Sequence, residues 1–172
     1  WATSRSLRIS KNHPCWRLLA ATFSFSGYVK AIDPLGTLYK LKDYAAAMSL
    51  NGLLPDWALV GVAIALGALE FALGVFMLFA VRRHVVSRIT LAFMTAMTVL
   101  TLWIFVADPV KDCGCFGDAL KLTNGETLLK NIVLIACAAL VAWRPTDMAR
   151  FISRSNQWIV RYYTVAYIVI TS

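Results

Sequence analysis

Charge is scarce in this chain, and where it is scarce matters more than how scarce it is. Charged residues make up 15% of the 172 residues against 59% hydrophobic ones, whereas a soluble domain is nearer a quarter charged and half apolar. From Trp57 to Val81 the only ionisable residue is Glu70, and from Ile89 to Ala107 there is none. Apolar runs of about 18 residues or more match the thickness of a bilayer core, so one large water-soluble domain is excluded. Histidine is nearly absent, with only His13 and His84. Two cysteines close together, Cys113 and Cys115, are too few for a structural zinc site without partners, and no histidine is near them, so no metal centre is expected. The net charge of +8 comes without basic and aromatic residues interleaved on a soluble segment, which argues against nucleic-acid binding. No small-residue cleavage site precedes Asp33, so the basic and then apolar N-terminal stretch reads as an anchoring helix rather than a removed signal.

What is present is an all-α integral membrane pattern. Spans are expected at Trp16 to Ile32, Trp57 to Val81, Ser87 to Ala107 and Glu126 to Trp143, with a fifth starting near Gln157. This gives a four-helix transmembrane bundle plus a fifth, truncated helix: residues 1–15 as a cytoplasmic segment, 16–143 as the membrane domain, 144–156 as a cytoplasmic loop and 157–172 as the start of the last span. The chain begins at Trp1 and stops at Ser172 inside an apolar run, and continuation into an extracytoplasmic domain is expected. Lys30, near the end of the first span, is expected to snorkel to the interface. Tyr44 to Leu54 is too apolar for a solvated linker and too short to span, and reads as an interfacial helix stopped by Gly52 and Pro55. Gly61, Gly67 and Gly74 in the second span suit close helix packing.

Arginines set the orientation. Arg5, Arg8, Lys11 and Arg17 precede the first span, Arg82, Arg83, His84 and Arg88 separate the second from the third, and Arg144, Arg150 and Arg154 separate the fourth from the fifth. The alternate loops mix Asp33, Lys40, Lys42, Asp43 and Asp56, or Asp108, Lys111, Asp112, Asp118, Lys121 and Glu126. By the positive-inside rule the N-terminus is cytoplasmic and the second outer loop extracytoplasmic.

That outer loop holds Asp112-Cys-Gly-Cys-Phe-Gly-Asp118. Its compartment is oxidising, so a Cys113–Cys115 bridge is plausible. Such a bridge closes a very small ring, eased by Gly114, and a strained bridge is readily reduced. It staples almost no chain, so the pair suits dithiol exchange; a non-catalytic oxidised turn is the competing reading. The attacking species is the thiolate; Lys111 and Lys121 are nearby cations and Asp112 and Asp118 oppose them. Cys15 and Cys137 read as small apolar fillers. Glu70 lies deep in a span, where an ionisable group is a functional candidate. It could take a proton or bond a cofactor ring, or else be a packed carboxyl bonded to Asn131 or to another helix's hydroxyl.

The motif Asp112-Cys-Gly-Cys-Phe-Gly-Asp118, followed by Lys130-Asn131 at the start of an apolar helix, resembles the MauE/DoxX family. So do Phe25-Ser-Gly27 with Lys30 and Asp33-Pro34, and Glu70 in the second span. The resemblance covers roughly residues 16 to 143 and implies a four-helix membrane bundle; longer proteins of this shape occur in Bacteroidota. MauE is associated with producing a disulfide-rich methylamine dehydrogenase subunit, and DoxX is named from a thiosulfate:quinone oxidoreductase. The resemblance therefore implies thiol–disulfide or quinone-linked redox work at the outer face of a bacterial inner membrane. Cys113 and Cys115 would exchange with a periplasmic thiol protein, and Glu70, Phe116 and Asn131 would contact a membrane quinone. A non-catalytic subunit that scaffolds a larger membrane complex is the rival. A transporter is less favoured, since no inverted repeat is evident.

Overall fold

The computed structural model describes residues 13–48, 55–107, 123–144 and 157–171. The described residues are almost wholly helical: α1 (His13–Ile32), α2 (Pro34–Ala47), α3 (Asp56–Leu78), α4 (Arg83–Ala107), α5 (Asn124–Trp143) and α6 (Gln157–Thr171). Three of them, α3, α4 and α5, are long and apolar enough to cross a membrane. They coincide with the second, third and fourth expected spans. α1 is 20 residues long but carries Arg17 and Lys30 and is less apolar than these three. α6 is shorter, at 15 residues.

The packing explains why α1 tolerates its polarity. α1 lies chiefly against α3 and also touches α5, while α4 pairs with α5. Trp16, Leu19, Ala20 and Phe23 of α1 are buried with Leu73 and Met77 of α3 and Leu134, Ala138 and Val141 of α5. Neighbouring helices take the place that lipid would otherwise occupy. Phe23 closes the core edge-on against Phe93 of α4, with ring centroids 5.6 Å apart, a favourable arrangement of ring quadrupoles. Cys137 is buried in this cluster and Cys15 packs against it, as expected of apolar fillers. α6 rests on the outside of the pair, where Tyr167 meets Phe71 at 4.6 Å and Tyr28 at 6.5 Å.

Glycines let α1 and α3 approach until their backbones touch. A Cβ built on Gly27 would overlap the backbone of Phe71, and one on Gly74 that of Ser24 and Phe23. A Cβ at Gly67 would lie 3.1 Å from that of Lys30. Gly74, Phe71 and Gly67 therefore face residues 24, 27 and 30 in turn, an antiparallel ladder of close contacts. Gly61, the third member of the expected stripe, would meet nothing within 4 Å and plays no part in it.

Two local expectations are corrected. The helix after α1 begins at Pro34, not Tyr44: Asp33 caps it, its Oδ1 accepting from Gly36 N at 2.9 Å, with Pro34 at the first position. That is an N-cap and N1 proline pair. The helix ends at Ala47, and the remainder of the expected Tyr44–Leu54 helix, from residue 49, lies outside the described residues. α2 packs Leu38 on Leu59 and Ala63 of α3, so it covers the end of the bundle. Secondly, α3 stops at Leu78 and the chain reverses through a tight turn before α4, with Ala80 (φ 50°) and Arg82 (φ 42°) in the left-handed region. Val81 is buried in the turn, not the last residue of a span.

Candidate functional site

The glycine ladder delivers three polar side chains to one point inside the bundle. Ser26 and Lys30 are four residues apart on α1 and share a face; Glu70 faces them from α3, between Gly67 and Gly74. Lys30 Nζ lies 2.6 Å from Glu70 Oε1, and Ser26 Oγ donates to Glu70 Oε2, also at 2.6 Å. Lys30 Nζ is 3.5 Å from Ser26 Oγ, which closes the triangle. The side chains of the ion pair are only 4% and 6% exposed. Lys30 therefore does not snorkel: the close backbone approach at Gly27 and Gly67 leaves its stem inside, and the nearest compensation is the carboxylate opposite. Both carboxylate oxygens of Glu70 are occupied, as a buried charge requires.

A cavity of about 120 Å³ adjoins the ion pair. α1 contributes Ser26 and Lys30 to its wall, α2 Thr37, Lys40 and Tyr44, α3 Glu70, and α5 Lys130 and Asn131. Phe23, Phe93, Met97 and Leu134 make the rest apolar. The volume is comparable to apolar cavities of roughly 150 Å³ that take up a benzene-sized ring. Among the described residues the wall carries three lysines and one glutamate, a balance that suits a ligand presenting electron-rich oxygens or negative charge. The Thr37 hydroxyl, on a residue 5% exposed, has no hydrogen-bond partner among the described residues although it lines this space. An orphaned buried hydroxyl in a cavity wall is costly unless something fills the cavity and bonds to it.

Asn131 reaches the same cavity from α5, 3% exposed. Its Nδ2 donates to Thr101 Oγ1 of α4 at 3.1 Å, and the Thr101 hydroxyl turns back on the Met97 and Thr98 carbonyls. Glu70 and Asn131 thus line one cavity without bonding each other. Cys113, Cys115 and Phe116 lie outside the described residues. The described ends of that segment are informative nonetheless. α4 ends at Ala107, seven residues past Leu100 in the cavity wall, and α5 begins at Asn124, seven before Asn131. At 1.5 Å per residue each end stands about 10 Å along its helix from the cavity, at the end of the bundle that α2 covers. Thr123 and Glu126 lock the return into α5 with a capping box: Glu126 N bonds Thr123 Oγ1 at 3.3 Å and Thr123 N bonds Glu126 Oε2 at 3.0 Å.

The sequence points to Glu70 and Asn131 but not to the wall formed by Thr37, Lys40 and Tyr44, because the apolar string from Tyr44 draws the expected helix later in the chain than α2 lies. Lys30 sits in the bundle interior and not at the interface. The spacing of Ser26 and Lys30, opposite a span whose one ionisable residue is Glu70, is a signal that pointed to the ion pair.

Among the described residues no cluster of His, Cys, Asp and Glu could hold a metal ion. The family model described as methylamine utilisation protein MauE matches residues 13–144. The chain belongs to the MauE family. The match takes in α1 to α5, and with them every residue of the ion pair and of the cavity wall; α6 lies beyond it. Neither curated proteins nor solved structures gave a match.

Proposed function

We propose that this MauE-family protein is a membrane thiol–disulfide module in which the Cys113–Cys115 pair, on the outer face, works with a quinone held in the cavity beside Lys30 and Glu70. The observation that carries the proposal is the buried Ser26–Lys30–Glu70 triangle adjoining a ring-sized space. A bundle that needed only to pack would be as stable or more so with apolar residues there. α1, α3, α4 and α5 form the four-helix transmembrane bundle and α6 a further span. The arginine-rich turns face the cytoplasm of a bacterial cell and the cysteine segment faces the periplasm. The family description in terms of methylamine utilisation supports an accessory role, and the resemblance of the Cys113–Cys115 motif to the MauE/DoxX family favours giving that role a redox character toward a periplasmic thiol protein.

The chemistry balances as follows. When the Cys113 and Cys115 thiols join, one S–S bond forms and two electrons and two protons leave. A quinone held beside Lys30 and Glu70 would supply the matching acceptor for those two electrons and two protons. The chain's own residues do the rest. Lys30, Thr37 and Asn131 would offer donors to oxygens at the rim of a ring, Phe23 and Phe93 would line its apolar side, and Glu70 would hold or pass a proton through its bonds to Lys30 and Ser26. The helices and α2 exclude bulk water.

The experiment is quinone reduction by purified protein in liposomes, driven by a small dithiol or by a reduced thiol protein. Wild type is expected to turn over, Cys113→Ser and Cys115→Ser to lose activity entirely, and Glu70→Gln to lose most of it. Unchanged rates in both cysteine variants would end the enzyme proposal and leave the scaffold of a larger membrane complex in its place.

A further inference from the structure

The end of the bundle away from the cavity carries a second recess, of about 470 Å³, between the α3–α4 turn and the start of α6. Arg82, Arg83, His84, Gln157 and Arg161 line it, and among the described residues no carboxylate does. Arg82, His84 and Arg161 make no ion pair among the described residues. α4 begins there, at Arg83, and a helix N-terminus favours anions. Independently, Gln157 is buried, with 8% exposure, lines the recess, and its carboxamide has no hydrogen-bond partner among the described residues. An amide at the wall of the recess that bonds no described residue can donate to a ligand there.

We propose that this recess binds a phosphate-bearing anion, either the headgroup of an anionic phospholipid or free phosphate. Guanidinium groups match phosphate oxygens as planar forks, and the Gln157 amide adds a neutral donor beneath them. The recess is much larger than one bare phosphate, and it sits where two membrane helices end, the place where basic pockets take lipid headgroups. Binding there would tie α6, the helix outside the MauE match, to the α3–α4 turn. The site does not depend on the redox reading of the cavity.

The test uses the full chain in neutral detergent, with thermal unfolding followed by tryptophan fluorescence. Short-chain phosphatidylglycerol, phosphatidylcholine and inorganic phosphate are titrated separately against wild type, Arg82→Gln/Arg161→Gln and, as a control for net charge at the same end, Arg88→Gln. Phosphatidylglycerol is expected to raise the wild-type midpoint and phosphatidylcholine not to. Apparent affinity should fall roughly tenfold or more in the double variant, at about one arginine's worth of attraction per residue removed, and little in Arg88→Gln. A response to phosphatidylglycerol alone identifies a lipid headgroup; an equal response to inorganic phosphate identifies the free anion. No wild-type shift with either anion, an equal shift with phosphatidylcholine, or the same loss in Arg88→Gln as in the double variant overturns the proposal.

Discussion

Replacing Lys30 by methionine is the sharpest perturbation of the ion pair, because it keeps the length of the stem and removes only the charge. Glu70 would then keep one bond, from Ser26, and face an apolar side chain where an ammonium stood 2.6 Å away. Both members are almost sealed from solvent, so screening does little to soften the loss. Breaking a buried pair by removing one partner costs about 3–5 kcal/mol, and insertion scales for a lone charge at the centre of a span give a similar 2.5–3.5 kcal/mol or so. We expect about 3 kcal/mol for Lys30→Met, and a somewhat smaller loss for Glu70→Gln, whose amide oxygen still accepts from Lys30. The double variant Lys30→Met/Glu70→Leu removes both charges and should return to within about 1 kcal/mol of wild type, since an apolar pair of similar volume often matches a buried ion pair. Reversible unfolding in mixed micelles of wild type, Lys30→Met, Glu70→Leu and the Lys30→Met/Glu70→Leu double variant completes the double-mutant cycle. Single losses below about 1 kcal/mol that simply add in the double variant would refute the buried pair. Quinone reduction supplies the second half of the prediction: the double variant should be stable and inactive.

The glycine ladder makes a graded prediction. Gly74→Ala drives a methyl into the Ser24 backbone, which cannot swing aside, and should cost at least the roughly 1–3 kcal/mol typical of overpacking. Gly61→Ala, in open space, should be neutral or stabilising by up to about 1 kcal/mol; equal effects at the two sites in an unfolding titration would contradict the ladder. The Asn131–Thr101 bond joins α5 to α4, and a cycle of Asn131→Leu with Thr101→Val should give a coupling of about 0.6 kcal/mol, and no more than roughly 1.7, as for hydrogen bonds between membrane helices. Thr123→Ala removes the capping box and should cost about 1 kcal/mol, read as faster hydrogen exchange confined to the first turn of α5.

How much of this could be read from the residues depends on whether the signal was local. The apolar runs of α3, α4 and α5 carry their own evidence, and their boundaries in the structure fall within a few residues of those expected from composition. The start of α2 was also written locally, in Asp33-Pro34, but the apolar string Tyr44–Leu54 is the louder feature and drew the helix toward it. The turn after α3 left no trace: Leu78-Phe-Ala-Val81 is apolar, has no glycine or proline, and yet Ala80 and Arg82 adopt positive φ. Only the packing of α3 against α4 dictates that reversal, as where Thr90 Oγ1 meets Met77 Sδ at 3.4 Å. Lys30 is the same kind of case. A lysine near a helix end reads as a snorkelling residue unless one knows that Gly27 and Gly67 bring a second backbone against it, and that is a fact about two helices at once.

Helix α1 turns this into an argument about function. Its polarity would be a liability on a lipid-facing helix, yet Ser26 and Lys30 lie on its enclosed side, 7% and 4% exposed, while Leu18, Phe25 and Ile32 point outward. The polar residues are thus placed where they cost most to bury, and the contacts that hold them there, Gly27 on Phe71 and Gly74 on Ser24, leave no slack for the pair to separate. Stability does not require such a construction, since apolar residues would fill the same volume at lower cost. Nor does solubility, since water reaches none of it freely. What the construction does supply is a fixed charge pair and a hydroxyl facing a ring-sized space, with an unsatisfied Thr37 on the far wall. Preorganised polar groups at the edge of a low-dielectric cavity act most strongly on whatever enters it. That is the property a membrane redox site needs and a scaffold does not, so activity in the stable Lys30→Met/Glu70→Leu variant is the point at which the two readings of this protein part.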